Sequence, residues 1–188
     1  LNRADLVQRK GLYPPPPGAS EIMGLECAGT IVAIGSDVSD WSVGDRVCGL
    51  MAGGGYAEYA VIDQGSLFKI PDRMSFDEAG ALPEVMMTVW ANIFDRCRFK
   101  LGETALIHGG TSGIGTMAIQ MLKRAGASRI MITAGSAEKC DRAKALGADI
   151  AINYREEDFE QIVRDAGGAD IILDMVGGDY VQKNLSAA

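Results

Sequence analysis

The sequence predicts an α/β chain: a small β region followed by the first part of a doubly wound parallel sheet. Three observations predict it. Residues 26–70 hold short β-branched and aromatic runs separated by glycine and aspartate turns, the pattern of an all-β region. From residue 104 onward, apolar runs of strand length alternate with helix-period segments, which implies βαβ units and a parallel sheet. Residues 103–126, ETALIHGGTSGIGTMAIQMLKRAG, read as a buried strand, a glycine-rich turn and a helix in immediate succession.

In chain order, residues 1–11 carry an apolar/polar pattern too short to type, with Asn2, Asp5 and Gln8 as polar members. Tyr13 is followed by four prolines, which can neither continue a helix nor sit in a central strand, so it stands at the base of a stiff loop. That rigidity suits a substrate-facing tyrosine and equally a tyrosine packed on prolines. Strands are expected over 26–35, 45–50, 56–62 and 66–70, with Asp45 capping the turn before the second. Past Pro71 the period changes. Ser75 and Glu78 have the spacing of a capping box, and Pro83 suits the first position of a helix carrying Val85, Met86, Val89, Trp90, Ile93 and Phe94. The domain boundary is therefore expected between residues 83 and 84. Strands follow at 104–107, 128–133, 150–153 and 170–174, with helices at 114–125, 137–146 and 158–166, and another beginning near Tyr180. A complete doubly wound domain has about six strands, so this one is expected to be cut short.

The 188 residues, 47% hydrophobic and 23% charged, are ordinary for a globular α/β protein. A net charge of -7 without a run of lysine or arginine argues against nucleic acid and anionic membranes as partners. Cys27, Cys48, Cys97 and Cys140 have no paired spacing, so neither a zinc knuckle nor a disulfide framework is expected, and a reducing, cytoplasmic location is the simplest inference. The uncharged run 104–122 is broken by Gly, Thr and Ser, and reads as strand plus helix rather than as a membrane span.

The glycine-rich turn is the strongest chemical signal. Gly110, Gly113 and Gly115 allow a tight turn, close approach of a phosphate and close packing of the helix, while the helix start at Ile114 offers unpaired N–H groups and a positive dipole end. Ser112 stands where a second glycine of the G-x-G-x-x-G pattern is expected, so the glycines alone leave an ordinary strand-to-helix turn open.

The ordered set LNRADL, GLYPPPPGAS, GLECAGTIVAIGSDV, WSVGDRVCGL, GGGYAEYAVI, ALPEVMMTVW, LIHGGTSGIG, TAGSAEKC, LGADIAINY and ILDMVGG resembles the quinone oxidoreductase branch of the medium-chain dehydrogenase/reductase superfamily, and within it the p53-inducible type. The resemblance covers essentially the whole chain. It implies a partial GroES-like β domain (residues 1–83) followed by a partial Rossmann domain (84–188), each incomplete at its outer end. It also implies zinc-independent hydride transfer from NADPH to a small quinone or enone, in a cleft between the domains. Full-length relatives are expected to be homodimers. Asn2, Arg3 and Leu25 stand where zinc-dependent members carry ligands, so no metal is expected, and Glu26 reads as a buried structural carboxylate.

By the same resemblance Asn2, Asp5 and Tyr13 line the substrate pocket as catalytic residues, and Thr88 bonds the nicotinamide amide. Gly110, Ser112, Gly113, Ile114 and Gly115 hold the pyrophosphate, and Ser136, Lys139 and Tyr154 gather around the 2′-phosphate. The residues agree on the last point: where an NAD-specific domain carries an acid at the end of its second strand, this chain has Gly135-Ser136, with Glu138 displaced into the helix. His108, the only histidine, is expected to pack and satisfy its nitrogens locally rather than act as an acid. A reading of another class stays open here: a shortened, non-catalytic or partner-binding form with weak or no nucleotide binding.

Overall fold

In the computed structural model, which describes residues 1–188, the early β runs pair into a three-stranded antiparallel sheet in the order β1 (Glu26–Thr30), β2 (Arg46–Leu50), β3 (Leu67–Lys69). Ala28 opposes Cys48, and Cys48 opposes Phe68. That face, with Ile70, Met74 and Ala79, makes a small core. The turn before β2 is held as expected, with Asp45 Oδ2 accepting the Ser42 N–H at 2.8 Å. Trp41 Nε1 donates to the Gln64 carbonyl at 3.2 Å, tying the same turn to the one preceding β3.

The first residues form a short helix, α1 (Arg3–Gln8), opened by Asn2, whose N–H donates to Asp5 Oδ2 at 2.7 Å. α2 (Phe76–Ala79) begins at the expected capping box: Ser75 Oγ accepts the Glu78 N–H at 3.2 Å, and the Glu78 carboxylate accepts the Ser75 N–H at 2.9 Å. The run 26–35 leaves the ladder after Thr30, and 56–62 forms no strand at all. The N–H groups of Gly54 and Tyr56 donate instead to the carbonyls of Ile22 and Met23, and Val61 is 96% exposed. β-propensity is a preference for a pleated, half-buried surface; without a neighbouring strand it yields no ladder.

α3 (Pro83–Val89) starts at its proline and runs directly into a π-helical segment, Trp90–Arg96, where the Cys97 N–H reaches back to the Asn92 carbonyl at 3.0 Å. The chain divides into two units, Leu1–Met87 and Thr88–Ala188, so the divide falls inside α3. Trp90 stacks on Phe94 with ring centroids 5.2 Å apart, and Phe94 meets Phe99 edge-on.

The second unit alternates as expected: β4 (Thr104–Ile107), α4 (Gly113–Ala125), β5 (Arg129–Ala134), α5 (Ala137–Leu146), β6 (Ile150–Asn153), α6 (Phe159–Asp165), β7 (Ile171–Leu173) and α7 (Tyr180–Ala187). The strands lie in the order β6-β5-β4-β7 with every pairing parallel. Successive residues serve opposite faces. Ala105, Ile107, Ile130 and Ile132 pack on Ala118, Ile119 and Leu122 of α4, whereas Leu106, Met131 and Ile152 pack on Phe159 and Val163 of α6. Gly126, with φ +83°, ends α4 as expected. No helix is long and apolar enough to cross a membrane.

Candidate functional site

β4 and β7 are neighbours in the sheet, yet β5 and β6 separate them in sequence, so the winding direction reverses between them. In open α/β sheets the crevice beyond the strand ends at such a reversal is where ligands bind. The glycine-rich turn leaves β4 at that point. Its left-handed residue is Gly109 (φ +67°), which sequence reasoning passed over in favour of Gly110. Gly110 and Gly115 serve close packing. A Cβ on Gly110 would lie 2.5 Å from Ile132 Cβ, and one on Gly115 would lie 2.4 Å from the Gly109 carbonyl oxygen. Ser112 caps α4, its Oγ accepting the Gly115 N–H at 3.0 Å. The first amides of the helix, those of Gly113 and Ile114, have no intrahelical acceptor, as at any helix start, and lie at the positive end of the helix dipole. The turn packs this closely only with glycine at 110 and 115, and the helix start that it leads into fits a dinucleotide pyrophosphate.

The end of β5 supplies a second polar cluster. Ser136 caps α5, its Oγ accepting the Lys139 N–H at 3.3 Å. Tyr154, just past β6, brings its hydroxyl over Gly135, where a Cβ would lie 2.8 Å from that oxygen and 3.5 Å from Arg155 Nε. Lys139 is exposed and, with Thr111, Thr116 and Arg142, borders a groove of about 470 Å³ between α4 and α5. Glu138, the first acid after β5, is paired with Arg142 at 2.7 Å. Arg155 and Arg142 were missed in the sequence; the cue for Arg155 was its place next to Tyr154.

His108 is fully buried, with Nδ1 3.0 Å from Thr133 Oγ1 and Nε2 2.8 Å from Asn184 Oδ1. Burial pulls its pKa down, against the Asn184 bond and the Asp174 charge. It packs as the sequence suggested.

In the first unit, Asn2 Nδ2 donates to Glu26 Oε1 at 2.6 Å, and Glu26 Oε2 accepts the Glu84 N–H at 2.9 Å. Asp5 is 3% exposed; one oxygen holds the Asn2 amide and the other, Oδ1, is buried without a hydrogen-bond partner. The phenol near it is that of Tyr56, pushed up in pKa by partial burial and by the facing Asp5 carboxylate. Tyr13 is half exposed on the proline loop, and no hydrogen bond joins it to Asn2 or Asp5. A hollow of about 730 Å³ lies between residues 18–22 and 50–66, and none of Asn2, Asp5 and Tyr13 lines it. Thr88 sits half-buried in α3, its carbonyl accepting Asn92 Nδ2 at 2.8 Å.

Two family models match the chain in succession: an alcohol dehydrogenase GroES-like domain over residues 1–72 and a zinc-binding dehydrogenase over residues 113–188. The residues do not fit the zinc of the latter description. No three His, Cys, Asp or Glu side chains are grouped to hold a metal, and both Glu26 oxygens are engaged. Quinone oxidoreductase-like protein 2 of Mus musculus is 31% identical over 188 residues, covering 98% of this chain and 54% of its own length. The NADPH complex of Escherichia coli quinone oxidoreductase superposes with a TM-score of 0.86 at 32% identity, and the CurK enoyl reductase with 0.87 at 33%. Each covers all of this chain, which spans 58% and 59% of theirs. The chain also matches a phenolphthiocerol synthesis polyketide synthase of Mycobacterium bovis at 35% identity over 190 residues, 98% of this chain but 9% of that protein. The chain thus spans about half the length of its single-enzyme relatives and far less of the synthase. With a GroES-like unit leading into a Rossmann-like unit and these relatives across its whole length, the chain belongs to the quinone oxidoreductase branch of the medium-chain dehydrogenase/reductase superfamily.

Proposed function

We propose that this chain belongs to a zinc-independent oxidoreductase that binds NADPH and delivers its hydride to a small quinone or to an activated alkene. The observation that carries the reading is the pairing of the glycine cradle at the strand-order reversal with a cationic and hydroxyl cluster at the end of β5. The amides of Gly113 and Ile114 would hold the pyrophosphate, with Gly110 and Gly115 letting the turn pack closely on β5 and the helix start, and Ser112 ordering that start. Ser136, Lys139 and Tyr154 would meet the 2′-phosphate, with Arg155 beside them, through charge-assisted bonds that the ribose hydroxyl of NADH does not offer. Thr88 would bond the nicotinamide amide. Asn2, Asp5 and Tyr13 would orient the substrate carbonyl. The bound cofactor supplies the hydride, and no metal is required to polarise the acceptor.

The matches to a quinone oxidoreductase and to an enoyl reductase support both acceptor classes. The experiment is titration of NADPH and NADH into the 188-residue protein by cofactor fluorescence, followed by NADPH oxidation with a simple quinone and with an enone. NADPH is expected to bind more tightly than NADH. Absence of any fluorescence change would sink the dinucleotide reading. Binding without turnover would favour the non-catalytic reading.

A further inference from the structure

A line of hydrogen bonds, buried at its centre, that the dinucleotide reading does not use joins the end of β7 to the glycine-rich turn. Asp174, directly after β7, accepts the amides of Val176 and Gly177 on Oδ1 at 2.7 and 3.0 Å, and accepts Asn184 Nδ2 of α7 on Oδ2 at 3.0 Å. A carboxylate only accepts, so the Asn184 amide has one orientation: Nδ2 faces Asp174, and Oδ1 faces His108 Nε2 at 2.8 Å. Nε2 must then carry a proton. The imidazole is 0% exposed and meets the rings of Phe159 and Tyr180 edge-on, each at 4.8 Å, which disfavours a charged ring. The ring is neutral, its Nδ1 is an acceptor, and the donor at 3.0 Å is the Thr133 hydroxyl. Thr133 Oγ1 in turn accepts the Gly109 N–H at 3.3 Å.

We propose that His108 is a positioning residue for the glycine-rich turn: as the neutral Nε2–H tautomer it gives the line Asp174–Asn184–His108–Thr133–Gly109 a single direction, locking the amide of the turn's left-handed residue to the corner between β7 and α7. The opposite tautomer would set a bare nitrogen lone pair against Asn184 Oδ1 in a fully buried site, where an unmade bond carries its full desolvation cost. The turn and the corner therefore hold or loosen together, and a change at Asp174 or Asn184 is felt where the pyrophosphate would sit. Only the effect on cofactor affinity rests on the dinucleotide reading; the ordering of the turn stands apart from it.

The chain has one histidine, so a long-range ¹H–¹⁵N spectrum of labelled protein contains one imidazole. At about pH 7 it is expected to be neutral and protonated at Nε2; an Nδ1–H ring or an imidazolium overturns the proposal. Amide exchange at Gly109 is the second readout. Thr133→Val removes the bridging hydroxyl at nearly constant shape and is expected to speed Gly109 exchange, and to raise the Kd for NADPH, by about tenfold each. His108→Gln keeps an acceptor on one side and a donor on the other, and is expected to stay within about twofold of the parent in both. Unchanged Gly109 exchange in Thr133→Val overturns the positioning role whatever the cofactor does. Faster exchange together with no NADPH binding in any form, the parent included, supports the positioning role and sinks the dinucleotide reading instead.

Discussion

Gly135 leaves the space in which the Tyr154 hydroxyl and the Arg155 guanidinium come together at the end of β5. Lys139 stands free of that cluster's packing at the first turn of α5, so its replacement tests charge rather than fold. Lys139→Ala is expected to weaken NADPH binding by roughly 1.5 to 3 kcal/mol, the range for a hydrogen bond to a charged group, and to leave NADH nearly unchanged. The ratio of the two dissociation constants, in parent and variant, checks this, and an unchanged ratio would mean that Arg142 or Arg155 carries the discrimination. Two glycines of the cradle separate binding from packing. Gly113→Val, at the ligand side of the helix start, is expected to weaken cofactor binding before it affects stability. Gly115→Ala forces a methyl to within 2.4 Å of the Gly109 carbonyl and is expected to cost about 1–3 kcal/mol of stability as well, measured by chemical denaturation. Equal stability of the two variants would show that Gly115 is not a packing position. Of these roles, only the general need for glycine was legible in the sequence. Which glycine turns and which packs depends on Ile132 and on the Gly109 carbonyl, partners set by the tertiary fold.

At the scale of elements, Glu26 on β1 gathers the start of α1 and the start of α3 by accepting Asn2 Nδ2 and the Glu84 N–H. Glu26→Ala removes both acceptors and is expected to destabilise the first unit by about 2 kcal/mol or more, with Glu26→Gln milder. A denaturation midpoint unmoved by Glu26→Ala would show that the tie is incidental. The βαβ succession was legible because each strand of a covered parallel sheet is an uninterrupted apolar run and each helix shows its period. α1 was not read, although Asn2 and Asp5 have capping-box spacing, because Arg3–Gln8 is too short for a period to emerge. The 56–62 run was misread for the opposite reason: its alternation is clear, but alternation states which faces a strand would have and not whether a neighbour exists to bond it.

For the whole molecule, acid sensitivity should begin at the single histidine. Burial holds His108 neutral, below its ordinary 6.5, while the unfolded chain takes up a proton as pH falls through that value. Between the two values the unfolded chain binds more protons, so stability rises with pH there, is fully present above about 6.5, and is lost progressively on acidification down to the lowered folded value. Denaturant midpoints across that window are expected to slope in the parent and to flatten in His108→Gln; a slope that persists in the variant would assign the loss elsewhere. Metal analysis after chelator treatment is expected to show no stoichiometric zinc, since no three His, Cys, Asp or Glu side chains are grouped to hold it; one tightly held zinc per chain would refute this. The two tryptophans fall one on either side of the divide, Trp41 bonded to the Gln64 carbonyl in the first unit and Trp90 stacked on Phe94 in the second. The chain thus carries a separate native fluorophore for each unit. In Trp41→Phe and Trp90→Phe proteins, coincident emission transitions would mark one cooperative melt, and staggered ones would report, by colour alone, which half of the molecule gives way first.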